Sequence, residues 1–132
     1  MITSTSNIQV KELIRLQKKS RERETEGVFI AEGPRMAAEI PKERIVKLYI
    51  SESFQKKCRK EKNEQFIKSA EVMSDPVFAR VSDTKTPQGV LAVVRRMEYT
   101  MEDVLGENPH VLVLENIQDP GNLGTIFRTA EA

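Results

Sequence analysis

The sequence of 132 residues has no tryptophan, one cysteine and one histidine, and only five phenylalanines and two tyrosines. Its single cysteine, Cys58, excludes an internal disulfide and any zinc site built from several cysteines, and it favours a reducing, cytoplasmic location. Because no histidine stands beside Cys58 to act as a base, we expect a bystander thiol rather than a nucleophile. No apolar run approaches the ~20 residues that cross a bilayer. The N-terminus also lacks the basic start and apolar stretch of a signal peptide, so we expect no membrane partner.

A recognisable catalytic or metal-binding pattern is also missing. His110 is the only histidine, and no serine, cysteine or paired carboxylate stands at a telling distance from it in the sequence. No two or three residues have the spacing of metal ligands, so we expect no metal site. Residues 119–124 have neither the spacing of a dinucleotide fingerprint nor that of a P-loop. A small nucleotide-binding α/β protein is therefore the weakest of the function classes that we consider.

The charged residues, which are plentiful, are unevenly distributed. Residues 1–97 contain 20 Lys and Arg against 13 Asp and Glu, a net charge of +7. Residues 98–132 contain one Arg against seven Asp and Glu, a net charge of −6. This change suggests two units with different surfaces, the first of which can face a polyanion. A solvated basic face without a partner explains the charge equally well.

Helical and strand patterns alternate through the first unit. Short apolar runs at residues 28–31, 45–50, 71–73 and 89–94 predict buried strands. The helices around them are predicted to start from residues that suit a helix N-terminus, namely Asn7 or Ser6, Pro34, Ser51 and Ser74. The alternation predicts a three-layer α/β/α domain with a largely parallel sheet.

Two groups of cations stand on these predicted helices. The first helix runs from Asn7 into a basic cluster that contains Lys18, Lys19, Arg21 and Arg23. Cations interact favourably with the C-terminus of a helix, and this structural role is one interpretation of the cluster. A contact with phosphate is the functional interpretation, and the two are compatible. A second helix, at residues 52–62, has little apolar surface and is a weaker candidate; it carries Lys56, Lys57, Arg59, Lys60 and Lys62.

The last 22 residues carry the most distinctive pattern. Residues 111–114, VLVL, predict a strand buried on both faces. A polar turn follows at residues 118–122, and then a helix with an apolar side formed by Leu123, Ile126 and Phe127. The chain ends at Ala132 inside that helix, so we expect these residues to be the opening part of a longer unit.

The turn and the helix of this segment form a plausible anion-binding corner. We expect Gly121 to take a positive φ, Asn122 to cap the helix and Gly124 to leave space for a substrate. Arg128 is the only cation of the segment. A structural interpretation is also open, in which the glycines serve the turn and Arg128 pairs with Glu131 or with solvent.

Three segments resemble a known family. Residues 114–132, LENIQDPGNLGTIFRTAEA, strongly resemble the first signature motif of the SpoU (TrmH) family of RNA 2′-O-ribose methyltransferases. Residues 27–35 and 82–94 resemble parts of the N-terminal substrate-binding domain of these enzymes. The resemblance implies an α/β/α sandwich of ribosomal-protein type that recognises RNA. A SPOUT domain with a trefoil knot would follow it, bind S-adenosylmethionine and usually form a homodimer.

The resemblance also implies roles for single residues. By position, Asn122 and Arg128 match the motif's functional asparagine and arginine, which hold the target nucleotide and its phosphate and help to activate the ribose 2′-hydroxyl. Glu115 stands where a relative often has aspartate. The second and third motifs, which hold the methyl donor, are expected beyond Ala132. The 132 residues are therefore expected to recognise RNA but neither to bind S-adenosylmethionine nor to catalyse.

We predict a substrate (RNA)-binding domain at residues 1–97, a linker at 98–109 and the start of an incomplete SPOUT domain at 110–132. The RNA is expected to be rRNA or tRNA. The predicted RNA surface combines Lys18, Lys19, Arg21, Arg23 and Arg35. The alternative is a non-enzymatic RNA-binding protein of ribosomal type.

Overall fold

The computed structural model describes residues 1–61 and 65–132. These residues form two compact units, Met1–Arg96 and Met97–Ala132, and each is described by itself. Lys62, which we assigned to the lysine-rich helix, lies outside the described residues.

The first unit alternates helices and strands. In chain order the elements are α1 (Ile8–Lys18), α2 (Ser20–Glu26), β1 (Val28–Glu32), α3 (Pro34–Glu39), a 3-10 turn (Lys42–Arg44), β2 (Ile45–Ser51), α4 (Glu52–Lys60), β3 (Glu71–Met73), α5 (Asp75–Val81) and β4 (Val90–Arg95). The four predicted strands are confirmed to within one residue. Two of the predicted helix caps are also confirmed. The side chain of Asn7 accepts the N–H of Gln9 at 2.8 Å, and Ser51 Oγ accepts the N–H of Phe54 at 3.1 Å.

Helices cover both faces of the sheet, which confirms the predicted α/β/α sandwich. On one face, α1 and α5 contribute the buried side chains of Leu13, Leu16 and Phe78. On the other face, Ala37 of α3 and Phe66 pack against the sheet, with residues of α4 beside them. The alternating side chains of β4 enter both cores, because Leu91 and Val93 face the first and Val90, Ala92 and Val94 face the second.

The prediction of a largely parallel sheet is wrong. Within the described residues the strand order is β1-β4-β2-β3, and only β2 and β3 are parallel neighbours. Because β4 is antiparallel to both β1 and β2, the strands β1, β2 and β3 run in one direction and β4 runs in the other.

The direction of β4 follows from the short connection that precedes it. Helix α5 has seven residues, so it is about 10 Å long and does not carry the chain along the sheet. Residues 82–89 then connect α5 to the end at which β2 and β3 finish, where Ser51 N donates to the carbonyl of Gly89 at 2.9 Å. We call this end, marked by Glu32, Ser51 and Gly89, the carboxyl end of the sheet.

The predicted first helix is interrupted at Lys19. This residue has an extended backbone, with φ −120° and ψ 102°, so α1 ends at Lys18 and α2 begins at Ser20. The basic cluster therefore occupies a corner between two helices instead of the last turn of one helix. We call residues 18–21 the elbow.

The second unit contains α6 (Met101–Val104) and α7 (Pro120–Glu131). The terminal helix α7 was predicted. Residues 111–114 do not form the predicted strand, because none of the described residues pairs with them in a ladder. A single extended segment leaves its backbone hydrogen bonds to solvent. Accordingly, Val111 and Val113 are exposed by 51% and 84%.

Candidate functional site

Three of the five predicted RNA-binding residues project from the elbow. Lys18, Lys19 and Arg21 are all exposed. No hydrogen bond or ion pair from their side chains is present in the part of the chain that the structure describes. Their ammonium and guanidinium groups are therefore available to an anionic partner.

Arg23 has a structural role that the sequence left open. Its Nη1 donates to the carbonyl oxygens of Leu16, at 2.6 Å, and Gln17, at 3.0 Å. These carbonyls belong to the last turn of α1, where backbone oxygens have no helical partner. Arg23 thus caps α1 from α2, in agreement with the helix-dipole interpretation of the cluster.

Arg15 supports the elbow, a role that we did not predict from the sequence. Its guanidinium contacts Glu22 through Nη1, at 2.7 Å, and Glu26 through Nη2. Both pairs join α1 to α2 across the break at Lys19. The side chains are about a third exposed or more, so each pair contributes only about 0–1 kcal/mol. Together with Arg23, these pairs connect α1 and α2 on either side of the break at Lys19.

Arg35 lies in the first turn of α3, just beyond the carboxyl end of β1, and its side chain is exposed. A series of contacts connects this turn with the elbow. The side-chain amide of Gln17, next to Lys18 in sequence, donates to the carbonyl of Val81 at 3.2 Å. Ser82, the next residue, donates its hydroxyl to Glu32, three residues before Arg35.

The lysine-rich helix α4 packs on the opposite face of the sheet from α1. Lys56 pairs with Glu52 at 2.7 Å, and this hydrogen bond and charge raise the pKa of Lys56. Lys57, Arg59 and Lys60 are exposed. Cys58 of the same helix is buried, and burial raises the pKa of its thiol, which opposes formation of the reactive thiolate.

The terminal helix begins differently from our expectation. Asp119 is the N-cap of α7, and its carboxylate accepts the N–H groups of Gly121 and Asn122 at 3.3 and 3.0 Å. The prediction that Asn122 caps the helix is therefore wrong. Gly121 lies inside the first turn and has no positive φ, contrary to expectation. Pro120 was the available signal, because proline favours the first helical position and so marks the preceding residue as the cap.

This arrangement leaves the side chain of Asn122 without a hydrogen-bond partner among the residues described. Arg128 lies six residues, or about one and two-thirds turns, further along the helix. Its Nη2 donates to Thr125 Oγ1 at 3.3 Å, and its Nη1 is 3.6 Å from the point where a Cβ on Gly124 would stand. The guanidinium therefore folds back over Gly124, and no ion pair with Glu131 forms in the described part of the chain.

Metal-binding clusters and membrane-spanning helices are both missing from the described residues. Those residues hold no group of three or more His, Cys, Asp or Glu side chains that could bind a metal ion. In the same residues, no helix has the combination of length and apolar character that a membrane span requires. His110 is exposed in the second unit.

Comparison with known proteins supports the family suggested by the sequence. The family model of the MRM3-like substrate binding domain matches residues 7–92. The 23S rRNA (guanosine(2553)-2′-O)-methyltransferase RlmP of Bacillus subtilis (strain 168) is 41% identical over 61 residues, which cover 46% of this chain and 23% of that relative. The mitochondrial rRNA methyltransferase 3 of Homo sapiens is 39% identical over 54 residues, 37% of this chain and 13% of that protein. The chain thus spans less than a quarter of the length of these curated relatives.

Solved structures agree with this fold. The crystal structure of an RNA 2′-O ribose methyltransferase matches 98% of this chain and 51% of its own, with a TM-score of 0.60 and 26% identity. An AdoMet-bound rRNA methyltransferase from Sinorhizobium meliloti has the same fold, with a TM-score of 0.62, 22% identity, and coverage of 98% of this chain and 49% of its own. The resemblance to SpoU (TrmH) methyltransferases is thereby confirmed, and the chain belongs to the MRM3-like substrate-binding domain family.

Proposed function

We propose that residues 1–97 recognise RNA, either rRNA or tRNA, on behalf of a 2′-O-ribose methyltransferase whose catalytic domain begins at residues 110–132. The observation that carries the proposal is the set of exposed cations formed by the elbow and Arg35. These cations belong to a substrate-binding domain whose relatives are named as rRNA methyltransferases. The net charge of +7 on residues 1–97 favours a polyanionic substrate in the same way.

Lys18, Lys19 and Arg21 are proposed to contact phosphate groups directly. Arg23 belongs to the predicted RNA surface, but its hydrogen bonds to the end of α1 give it a share in holding the elbow as well. We therefore expect Arg23→Ala to reduce stability and RNA affinity together. Loss of Lys18 or Lys19 should reduce affinity alone.

The test is the salt dependence of RNA binding by the double variant Lys18→Ala, Lys19→Ala. Each lost phosphate contact should reduce the slope of log K against log salt by about 0.7 to 0.9. The matched control is Lys57→Ala with Lys60→Ala, which removes the same charge from exposed positions of α4 on the opposite face. An equal loss of slope in both double variants would refute the assignment of the surface to the elbow.

Asn122 and Arg128 are proposed to serve the methyl-transfer reaction in the complete enzyme. A ribose hydroxyl is a weak nucleophile, so it requires orientation and a route for its proton. A guanidinium can clamp the neighbouring phosphate through two parallel hydrogen bonds. Arg128 donates one N–H group to Thr125 and retains others of its five N–H groups for such a clamp.

S-adenosylmethionine would supply the methyl group in that enzyme. The segment that carries Asn122 and Arg128 offers the cofactor no enclosed site, because its described side chains are exposed or half-buried. We therefore assign no residue of this chain to the cofactor and expect no methyl transfer from these 132 residues alone. The homodimer implied by the family likeness and the cytoplasmic location favoured by the single cysteine are part of the same proposal.

Replacing Arg128 in the complete enzyme tests this role. Arg128→Ala should lower the rate of methyl transfer by roughly a hundredfold or more, because the phosphate would no longer be held in a reactive position. The thermal unfolding of the protein should not change, since Arg128 is exposed. Near-normal turnover by the variant would refute the role.

A further inference from the structure

The carboxylate of Glu32, at the end of β1, accepts hydrogen bonds from the first three residues of a loop that is distant in the sequence. Its Oε1 accepts the hydroxyl of Ser82 and, at 3.1 Å, that of Thr84. Its Oε2 accepts the backbone N–H of Asp83 at 3.2 Å. The two hydroxyls are also 3.0 Å from each other, so three consecutive residues form a single network with Glu32.

The other end of this loop is fixed to the same end of the sheet. The carbonyl of Gly89 accepts Ser51 N, and the carbonyl of Val90 accepts Gly33 N, both at 2.9 Å. The side-chain oxygen of Gln88 lies 3.2 Å from the position of a Cβ on Gly33. Residues 82–88, which we call the clasped loop, are therefore held at both ends while their middle is exposed.

The middle of the clasped loop has the chemistry of an RNA contact. Lys85 supplies a cation, and Thr86 and Gln88 supply hydrogen-bonding groups, all of them exposed. The loop begins at Ser82, beside the turn that carries Arg35, and follows Val81, which accepts a hydrogen bond from Gln17 near the elbow. Unstacked nucleotides in RNA loops offer both phosphates and base edges to groups of this kind.

We propose that the clasped loop is a second RNA-contacting element of this domain and that Glu32 is its positioning residue. The inference rests on the proposed function and adds to it a site for an unpaired RNA segment. Glu32 does not contact the RNA in this account. By fixing residues 82–84 it positions the adjacent Lys85, so that less of the cost of ordering the loop is paid when the RNA binds.

If Glu32 positions the loop, removal of its charge should lower RNA affinity, whereas the loss of a negative charge by itself should raise it. A carboxylate close to an RNA surface repels phosphate, so removal of its charge should tighten binding if charge were all that mattered. Glutamine at position 32 retains one carbonyl oxygen, but its amide NH2 cannot accept the N–H of Asp83. The loop should loosen in the variant Glu32→Gln, and RNA binding should weaken despite the more favourable charge.

The experiment compares Glu32→Gln with Glu39→Gln in binding to a single-stranded RNA oligonucleotide at two salt concentrations. Glu39 is exposed at the end of α3 and, in the described part of the chain, has no hydrogen bond or ion pair. Both changes remove one negative charge, so a difference in RNA affinity between the two variants reports the loss of the hydrogen bonds from Glu32 to residues 82–84. We expect Glu39→Gln to bind as tightly as the parent or slightly more tightly. Glu32→Gln should bind about threefold to tenfold more weakly, with faster hydrogen exchange at the Asp83 amide.

A second variant keeps the inference testable if Glu32→Gln unfolds. Lys85→Ala leaves every contact of Glu32 in place and should reduce the salt slope by about 0.7 to 0.9. The inference is overturned if Lys85→Ala keeps the parental slope, or if a folded Glu32→Gln variant binds as tightly as Glu39→Gln. Parental protein that binds RNA without salt dependence would overturn the proposed function as well. If the elbow variant loses RNA affinity while Lys85→Ala and Glu32→Gln do not, the clasped loop is not an RNA contact and the proposed function stands.

Discussion

Gly89, the residue before β4, has a φ of +80° and lies beside the first turn of α4. A Cβ at this position would stand 2.7 Å from both Phe54 Cβ and Ser51 Oγ. Replacement by alanine therefore adds a collision to the strain of a left-handed backbone. We expect Gly89→Ala to lower the free energy of unfolding by about 2 to 4 kcal/mol, measured by urea denaturation.

Gly27 provides the matched control for this prediction. It ends α2 with a φ of +63°, and a Cβ on it would meet nothing within 4 Å. Gly27→Ala should therefore lower the free energy of unfolding by only about 1 kcal/mol, the cost of a left-handed backbone at a residue other than glycine. Equal losses in the two variants would contradict the steric account of Gly89.

At the scale of elements, Asp75 ties the start of α5 to the start of α4. Its carboxylate accepts the hydroxyl and the backbone N–H of Ser53, and these hydrogen bonds hold its pKa below the ordinary value. A lowered pKa stabilises the folded protein fully above the unfolded value of about 4, and this contribution is lost as pH falls through the folded value. We therefore expect part of the acid destabilisation below about pH 4 to come from Asp75.

The variant Ser53→Ala tests this contribution. Without the hydroxyl, the pKa of Asp75 should lie closer to normal, so the free energy of unfolding should depend less steeply on pH below about 4. Ser69→Ala is the control, because Ser69 is exposed and has no hydrogen bond to Asp75 in the described residues. Identical pH profiles for the two serine variants would count against the assignment.

The elements themselves were largely predictable from local signals. Apolar runs between turn residues marked the four strands, and Asn7, Pro34 and Ser51 marked helix starts through side-chain capping or a fixed φ. The direction of β4 was not predictable in this way, because it depends on how residues 82–89 return to the sheet. Repeated helix–strand alternation carries no information about that return.

The candidate site was only partly predictable for the same reason. The cations of the elbow were visible as a cluster in the sequence, but the break at Lys19 and the cap supplied by Arg23 depend on how two helices meet. Glu32 escaped notice because the residues that it binds are 50 to 52 positions away. A lone glutamate before a glycine gives no sign of such partners.

At the scale of the whole molecule, both hydrophobic cores lie within Met1–Arg96. This unit should therefore fold without the remainder of the chain and retain the proposed RNA surface. The residues removed carry a net negative charge, so their loss should leave RNA affinity unchanged or increase it. Titration of one RNA oligonucleotide with residues 1–96 and with residues 1–132 checks this, and a large loss of affinity in the shorter chain would contradict it.

The unpaired residues 111–114 have a practical consequence for work with this chain in solution. A run of four apolar residues, of which the first three are exposed, is a template for aggregation, because further copies can pair with its free backbone groups. A gatekeeper charge in the run, such as Val113→Lys, should raise the solubility limit, while Val46→Lys, at another exposed valine, should not. Light scattering at increasing protein concentration distinguishes the two variants, and equal behaviour would mean that aggregation starts elsewhere.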